Sequence, residues 1–320
     1  MKRTSYPRPV SRSLKVAVVV SVAMAVLLFA AVQRGRTLRA SRALHELPST
    51  ARALLRIDTR ALERTAAAKT LIDAFIPEEE LSEIEAICGL EPLDTLSEVT
   101  VWVRGPDDQP FQSIGLMLRG RTADSATLAE CHRLLVEERG GSIVRLEGPA
   151  GPFLASRDRR SAIAVLDNRT IVTGSVRTVA EVMEVWRGAA PALVERSGVA
   201  TLWRQVSPGA GIAAVLEPPE HWKSALGRVA KLGNEVSPLA GARTIALSVE
   251  SGSTRTIDLY IETTDAERAQ QDAELIRASV ASPPASIEPP WVALLQSARV
   301  YVRERTIVVT IDVSSLSRAR

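Results

Sequence analysis

The chain has 320 residues with 40 Lys/Arg against 37 Asp/Glu, a formal net charge of +3, and 46% hydrophobic but only 4% aromatic residues. The charge is unevenly placed: residues 1–45 hold nine Lys/Arg and no acid, so the remaining residues hold 31 Lys/Arg against 37 Asp/Glu and are mildly acidic. The basic balance therefore belongs to the N-terminus, which argues against a basic face for nucleic acid, while the body is long enough to bury a core built mainly of Ala, Val, Leu and Ile.

Residues Val16–Val32 read VAVVVSVAMAVLLFAAV, with Ser21 the sole polar side chain. A membrane-crossing helix needs about 20 apolar residues at about 1.5 Å rise each. Lys15 and Arg34 flank the run, and their long stems can snorkel to the headgroups. No A-x-A pattern follows it, so the reading is an uncleaved signal anchor rather than a removed signal peptide. Five basic residues precede it, and this favours an N-terminus inside a bacterial inner (cytoplasmic) membrane with the body in the periplasm. The chain then divides into a basic tail (1–15), a transmembrane anchor (16–32) and a basic juxtamembrane segment (33–46). In the last of these, Arg34, Arg36, Arg39 and Arg42 are candidates for contact with anionic lipid headgroups; a solvated helix face is the plainer alternative.

Leu47-Pro48-Ser49-Thr50 opens a strand over 51–58, and a helix is expected over 59–75. Pro77 followed by Glu78, Glu79 and Glu80 starts a second helix, since acids in the first turn complement the helix dipole; Gly89 suits its C-terminal cap. Val99, Val101 and Val103 alternate with Thr100, Trp102 and Arg104, the period-two pattern of a half-buried strand. Gly105-Pro106-Asp107-Asp108 turns the chain, and Ile114, Leu116 and Leu118 continue the pattern. A helix over 124–138 ends at Gly140-Gly141. Strands follow at 142–146, 161–166 and 170–175, the last two joined across Asp167-Asn168-Arg169, then a helix over 176–187 and a helical connector over 189–207.

The order then repeats. A strand at 211–216, a helix at 219–232, strands at 243–249 and 254–262 and a helix at 265–281 follow one another; Thr264-x-x-Glu267 reads as a capping box for that last helix. A Pro-rich linker (283–290), a short helix from Trp291 and a hairpin (300–303, 306–313) close the chain. Both halves read strand, helix, strand, strand, helix, strand. The expected fold class is therefore α+β: an N-terminal transmembrane helix followed by two tandem ferredoxin-like (β-α-β-β-α-β) repeats, 47–188 and 208–320, with mainly antiparallel sheets. The best internal match sets Leu116-x-Leu118-Arg119-Gly120-Arg121-Thr122 against Leu259-x-Ile261-Glu262-Thr263-Thr264.

The chain's two cysteines, Cys88 and Cys131, fall on helices that cover one face of such a unit. In an exported body they could pair as a disulfide, with two buried thiols the alternative. The chemistry-bearing motifs are otherwise weak. His45, His132 and His221 form no H-E-x-x-H, and no C-x-x-C occurs. Gly174-Ser175 lacks the second glycine of a nucleophile elbow, and Gly209-Ala210-Gly211 precedes a strand, the wrong order for a dinucleotide loop. His221-Trp222, opening a helix after Pro218-Pro219, reads as a surface histidine beside a core tryptophan. No catalytic, cofactor-binding or metal-ligating residue is assigned, and no cofactor is expected.

Cys88-Gly89-Leu90-Glu91-Pro92-Leu93 followed by Val99–Val103, with a Leu-Pro strand opening just past a signal anchor, resembles a group of uncharacterised, membrane-anchored α+β envelope proteins of myxobacteria and related bacteria. The resemblance covers residues 47–186 and implies no catalytic residue. A short basic tail, one span and ferredoxin-like units are also similar in architecture to inner-membrane scaffold subunits of pilus and secretion machines. The expected function is a membrane-anchored envelope protein with a non-catalytic binding or scaffold body that meets a protein partner. The alternative is a periplasmic ligand-binding or enzymatic domain with a cleft between the two repeats.

Overall fold

The computed structural model describes residues 40–62, 78–105, 113–206, 210–218, 241–250, 256–283 and 289–312. The apolar run Val16–Val32, the basic tail, most of the helix expected over 59–75 and the helix expected over 219–232 lie outside the described residues. Among the described residues no helix is long and apolar enough to cross a membrane.

The strands are β1 (Ala53–Asp58), β2 (Leu96–Arg104), β3 (Ser113–Gly120), β4 (Ile143–Gly148), β5 (Gly151–Ser156), β6 (Ala162–Val165), β7 (Thr170–Gly174), β8 (Ala210–Leu216), β9 (Thr244–Glu250), β10 (Thr256–Glu262), β11 (Arg299–Arg303) and β12 (Thr306–Asp312). These twelve described strands form one sheet in the order β11-β12-β10-β9-β8-β1-β2-β3-β7-β6-β5-β4. Every pairing is antiparallel.

This corrects the expectation of two ferredoxin-like repeats. A split β-α-β unit makes its first two strands parallel with another strand between them. Here β1 and β2 are antiparallel neighbours, with Leu55 opposite Val101. The repeated element order is real, but element order does not determine strand order. Each half is a three-stranded meander (β1-β2-β3; β8-β9-β10) followed by a helix and a hairpin whose last strand (β7; β12) returns beside the third. The halves meet where β1 pairs with β8, Ala53 opposite Leu216 and Ile57 opposite Ile212. Antiparallel pairing of two equivalent strands is the arrangement of a local two-fold. The first half adds the hairpin β4–β5, and β5 escaped the sequence reading because its Gly151-Pro152 start reads as a turn.

The described helices are α1 (Ala40–Glu46), α2 (Thr59–Leu62), α3 (Glu78–Cys88), α4 (Pro92–Thr95), α5 (Ser125–Glu138), α6 (Val176–Trp186), α7 (Ser197–Gln205), α8 (Ala266–Ala281) and α9 (Pro289–Gln296), with a 3-10 turn at Leu193–Glu195. Their ends follow from local chemistry. Asp124 accepts from Thr127 N at the start of α5, and Gly89, Gly140 and Gly188 take positive φ after α3, α5 and α6. Asp265, rather than Thr264, caps α8: its Oδ1 accepts from Arg268 N at 2.8 Å, and Thr264 donates to Asp265 Oδ2.

One face of the sheet packs against α1, α6, α7 and the 3-10 turn. Leu44, Leu47, Leu54, Trp102, Met117, Val179, Leu202 and Trp203 form its core. The other face carries α5 over β3, β7 and β6 through Leu128. It carries α8 over β10 and β12 through Ala269 and Ala273, and Leu294 of α9 meets β8 and β9. The β2 alternation is as read, but its fully buried side is Glu98, Thr100, Trp102 and Arg104, while Val99, Val101 and Val103 are half-buried. The charged side is inside because the helix-covered face neutralises it with partners from other elements.

Cys88 and Cys131 are disulfide-bonded, their Cα atoms 5.0 Å apart, and the bond fastens α3 to α5. Trp102 is fully buried opposite Gly115 in the β2–β3 register. A Cβ on Gly115 would overlap Trp102 Cζ2 and Cε2 and approach Thr178 Cγ2 to 2.7 Å. Two outcomes are expected in denaturant unfolding. Gly115→Ala lowers stability by about 2–3 kcal/mol, since the indole has no room to yield in a packed face. Cys88→Ser, or reduction of the bond, lowers it by about 2–4 kcal/mol through the freed loop of the unfolded chain. An unchanged midpoint in either case contradicts the corresponding packing or cross-link.

Candidate functional site

The sheet face covered by α1 holds a chain of charges. Arg56 (β1), Glu98 (β2) and Arg119 (β3) lie on consecutive strands with their side chains on this one face, and all three are buried. Arg56 Nε donates to Glu98 Oε2 at 2.8 Å, and Arg119 Nε donates to Glu98 Oε1 at 3.1 Å. Arg119 Nη2 donates to Glu46 of α1, and its Nη1 donates to Thr170 Oγ1 at 3.0 Å. Arg42, one turn earlier on α1, donates to Glu46 Oε1 at 2.6 Å and stands 3.8 Å from Asp167. One carboxylate, Glu98, thus serves two guanidinium groups. Arg56 Nη1 is buried and meets no acceptor among the described residues.

A cleft of about 410 Å³ opens above this chain. Among the described residues it is lined by Arg42, Arg56, Arg60, Arg119, Arg121 and Arg169, by the acids Asp58, Glu98 and Asp167, and by the uncharged polar Ser97, Asn168 and Thr170. The β6–β7 turn forms one wall. Asp167 Oδ1 accepts from Arg169 N at 2.8 Å, and Arg169 O accepts from Gly120 N at 2.7 Å, which ties the turn to the end of β3. Burial pushes the Glu46 carboxyl above its ordinary value against the opposing pull of Arg119 and Arg42.

A second cleft, of about 350 Å³, occupies the equivalent place in the other half. The registers set Arg119 opposite Thr170 and Glu262 opposite Thr306, so Glu262 stands where Arg119 stands. Arg305 then corresponds to Arg169, and Thr263 N donates to Arg305 O at 2.9 Å as Gly120 N does to Arg169 O. In this second cleft Arg305 reaches Glu262 at 2.7 Å.

The residues singled out in the sequence fall as follows. Arg34, Arg36 and Arg39 lie outside the described residues. Arg42 is engaged by Glu46 at the cleft's edge. His45 is exposed; His132 lies half-buried beside Ser161 Oγ at 3.2 Å, and burial lowers its proton affinity. Ser175 caps α6 by accepting from Thr178 N, which accounts for Gly174-Ser175 without chemistry. Among the described residues no group of three His, Cys, Asp or Glu is placed to hold a metal. Sequence reading missed the cleft because its arginines are single residues on distant elements. The available signal was Glu98 and Arg119, charged residues at alternating positions of strands that must have a buried side.

No protein-family model matches the chain, and no curated protein matches it. Among solved structures it is similar to crystal form I of TP0453, at 12% identity and a TM-score of 0.46 over 86% of this chain and 95% of that one. It is likewise similar to crystal form III of TP0453, at 13% identity and a TM-score of 0.45 over 86% of this chain and 96% of that one. At so low a TM-score and identity the likeness says nothing of ligand, activity or compartment.

The Glu46 shift carries a signed prediction. The folded chain holds this proton more tightly than the unfolded chain does. The stability that Glu46 contributes is therefore present below its ordinary value of 4.5 and is lost as pH rises through the higher folded value. Relative to Glu46→Gln, the unmodified protein should lose stability as pH rises from below 4.5 through the carboxyl's raised folded value. Chemical unfolding of both proteins across that range checks it, and a difference that stays flat or grows with pH contradicts it.

Proposed function

We propose that the chain is a single-pass envelope protein, held in the bacterial cytoplasmic membrane through Val16–Val32 with its N-terminus inside. Its body then lies in the periplasm and acts by binding rather than by catalysis. The observation that carries this reading is the Cys88–Cys131 bond, which joins both cysteines of the chain. Stable disulfides belong to oxidising compartments, and an apolar run behind a basic tail is the means by which a body reaches one. The body's charged groups support binding over chemistry. In the arginine-lined cleft, guanidinium groups and carboxylates hold one another, an arrangement that orients and attracts rather than transfers protons. The partner class is a protein of the envelope; a small anionic ligand is the second reading, favoured by the cleft.

The test is a C-terminal fusion pair. An alkaline phosphatase fusion should be active and a green fluorescent protein fusion dark. Mass mapping without reductant should recover the Cys88 and Cys131 peptides linked. A bright fluorescent fusion overturns the compartment, and with it the partner class.

A further inference from the structure

We propose that the β4 edge of the sheet is a dimerisation surface, on which β4 of a second copy of this chain lies antiparallel about a two-fold axis at Leu146. This goes beyond the envelope reading and needs only the folded body.

Three observations converge. The first is the direction of the backbone groups. β4 closes the sheet and, among the described residues, pairs on one side only, with β5. Arg157 N donates to Ser142 O at 2.9 Å, so Ser142 is turned toward β5. By the alternation of an antiparallel ladder, Val144, Leu146 and Gly148 turn the same way, and the N–H and C=O groups of Ile143, Arg145 and Glu147 point off the edge. Pro152, which has no N–H, stands opposite Glu147, as that phase allows. The second observation is the side-chain row. Arg145 and Glu147 are 68% and 73% exposed and share one face of the strand. Val144 and Leu146, half-buried, lie on the other, with Leu146 packed against the main core. Outward groups bond only outward groups, which leaves few registers for β4 on itself. Centring the pair on Arg145 sets that arginine against its own copy, and centring it on Glu147 sets two carboxylates together. Centring it on Val144 carries Glu147 past the end of the facing strand. Centring it on Leu146 sets each Arg145 opposite Glu147 of the other copy and leucine against leucine. The opposite charges then fall at hydrogen-bonded positions, and the leucines at the non-bonded position where side chains come closest. Within one copy Arg145 Nε stands 3.4 Å from Glu147 Oε1, an exposed contact of little worth on its own. The third observation is the contrast with the other edge. The exposed row of β11 is Arg299, Tyr301 and Arg303. Laid antiparallel on itself about Tyr301, it sets Arg299 against Arg303, so that edge repels its own copy, one of the ways a sheet edge is kept single. The β4 edge carries both signs of charge in an order that matches itself.

The product is one sheet running through both copies. Because the contact is two-fold, each copy uses its β4 edge on the other and assembly stops at two. A single short edge is a small interface, so the dimer forms and separates readily. Copies tethered in one bilayer would meet at raised effective concentration.

The experiment uses the full chain in detergent. Sedimentation velocity should show a monomer–dimer equilibrium that shifts with protein concentration. Glu147→Arg, at an exposed position, sets arginine against arginine at two places and should raise the dimer dissociation constant about ten-fold. Arg145→Glu should do the same with carboxylates. Arg145→Glu combined with Glu147→Arg exchanges the charges and should restore the dimer. Leu146→Cys, oxidised with copper phenanthroline, should give a dimer linked through position 146 in mass mapping, because Cα atoms of a non-bonded pair lie about 4.5 Å apart. Val144→Cys should not link, since its two copies lie about 13 Å apart along the strands. If Leu146→Cys does not fold, the charge exchange decides alone. A monomer at every concentration overturns the proposal. So does a dimer that the single charge reversals leave unchanged or that the exchange fails to restore, which places the contact elsewhere. Equal linking of the two cysteine variants also overturns it, as the mark of chance collision.

Discussion

The fold depends on the pairing of β1 with β8. Without it the chain is two half-sheets, each with a bare edge of unpaired N–H and C=O groups. Such edges recruit other strands. With it, both edges disappear into one sheet, and the exposed edges move outward to β4 and β11. The seam also decides what is buried. It puts β1 at the centre of the sheet, so Arg56 is covered from the β2 side and the β8 side alike. Ala213 of β8 and Thr100 of β2 stand opposite it, and its guanidinium reaches diagonally along the β2 side to Glu98. A buried arginine is thus a consequence of the seam, and the charge chain is a consequence of the arginine.

That chain is a poor explanation of stability. Desolvating two arginines and two carboxylates is unfavourable, and apolar residues of similar volume often hold a fold at least as well. What the chain supplies is position. Glu98 bridges β1 to β3, Arg119 bridges β3 to α1 and β7, and Arg42 reaches from α1 toward the β6–β7 turn. Removing Glu98 leaves the buried Arg56 without its carboxylate and Arg119 with one of its two, so the elements that build the cleft are tied together through this residue. Helix α1 belongs to that unit twice over, through Glu46 and through Leu44 and Leu47 in the core.

Much of the element pattern was legible. Period-two alternation located β2 and β3, acids after Pro77 located α3, and glycines marked the ends of α3, α5 and α6 with the positive φ that glycine tolerates. The disulfide was one of two readings the sequence left open, and the structure shows it, though the helices that carry the cysteines do not belong to the split β-α-β unit expected. What was not legible lies in pairing between distant strands. The same element order serves a split β-α-β unit and a meander, and only the hydrogen-bonded edges separate them. The inside of β2 was hidden for a related reason. Alternation reports that a strand has two faces; which of them is buried is set by α1 and α6, which come from far along the chain. The cleft was invisible because Arg56, Arg119 and Arg169 share no motif. Their proximity exists only once β1, β2, β3 and β7 are in register.

The two halves are the more informative comparison. Where the backbone needs a particular group, the halves agree. Thr170 and Thr306 occupy one register position, Asp124 and Asp265 cap equivalent helices, and the last residue of each hairpin turn accepts from the end of the third strand. Met117 and Tyr260 sit at matching positions of the same core. Where the backbone needs nothing, the halves part. Arg119 becomes Glu262 and Glu98 becomes Thr244, so that one half holds an arginine between two carboxylates where the other pairs its carboxylate with the hairpin's Arg305. The inversion of charge at this pair of matched positions follows the partners that each half supplies: Glu46 and Glu98 around Arg119 in one, Arg305 against Glu262 in the other. The backbone fixes the position, and the neighbouring elements fix the sign of the charge that can be buried there.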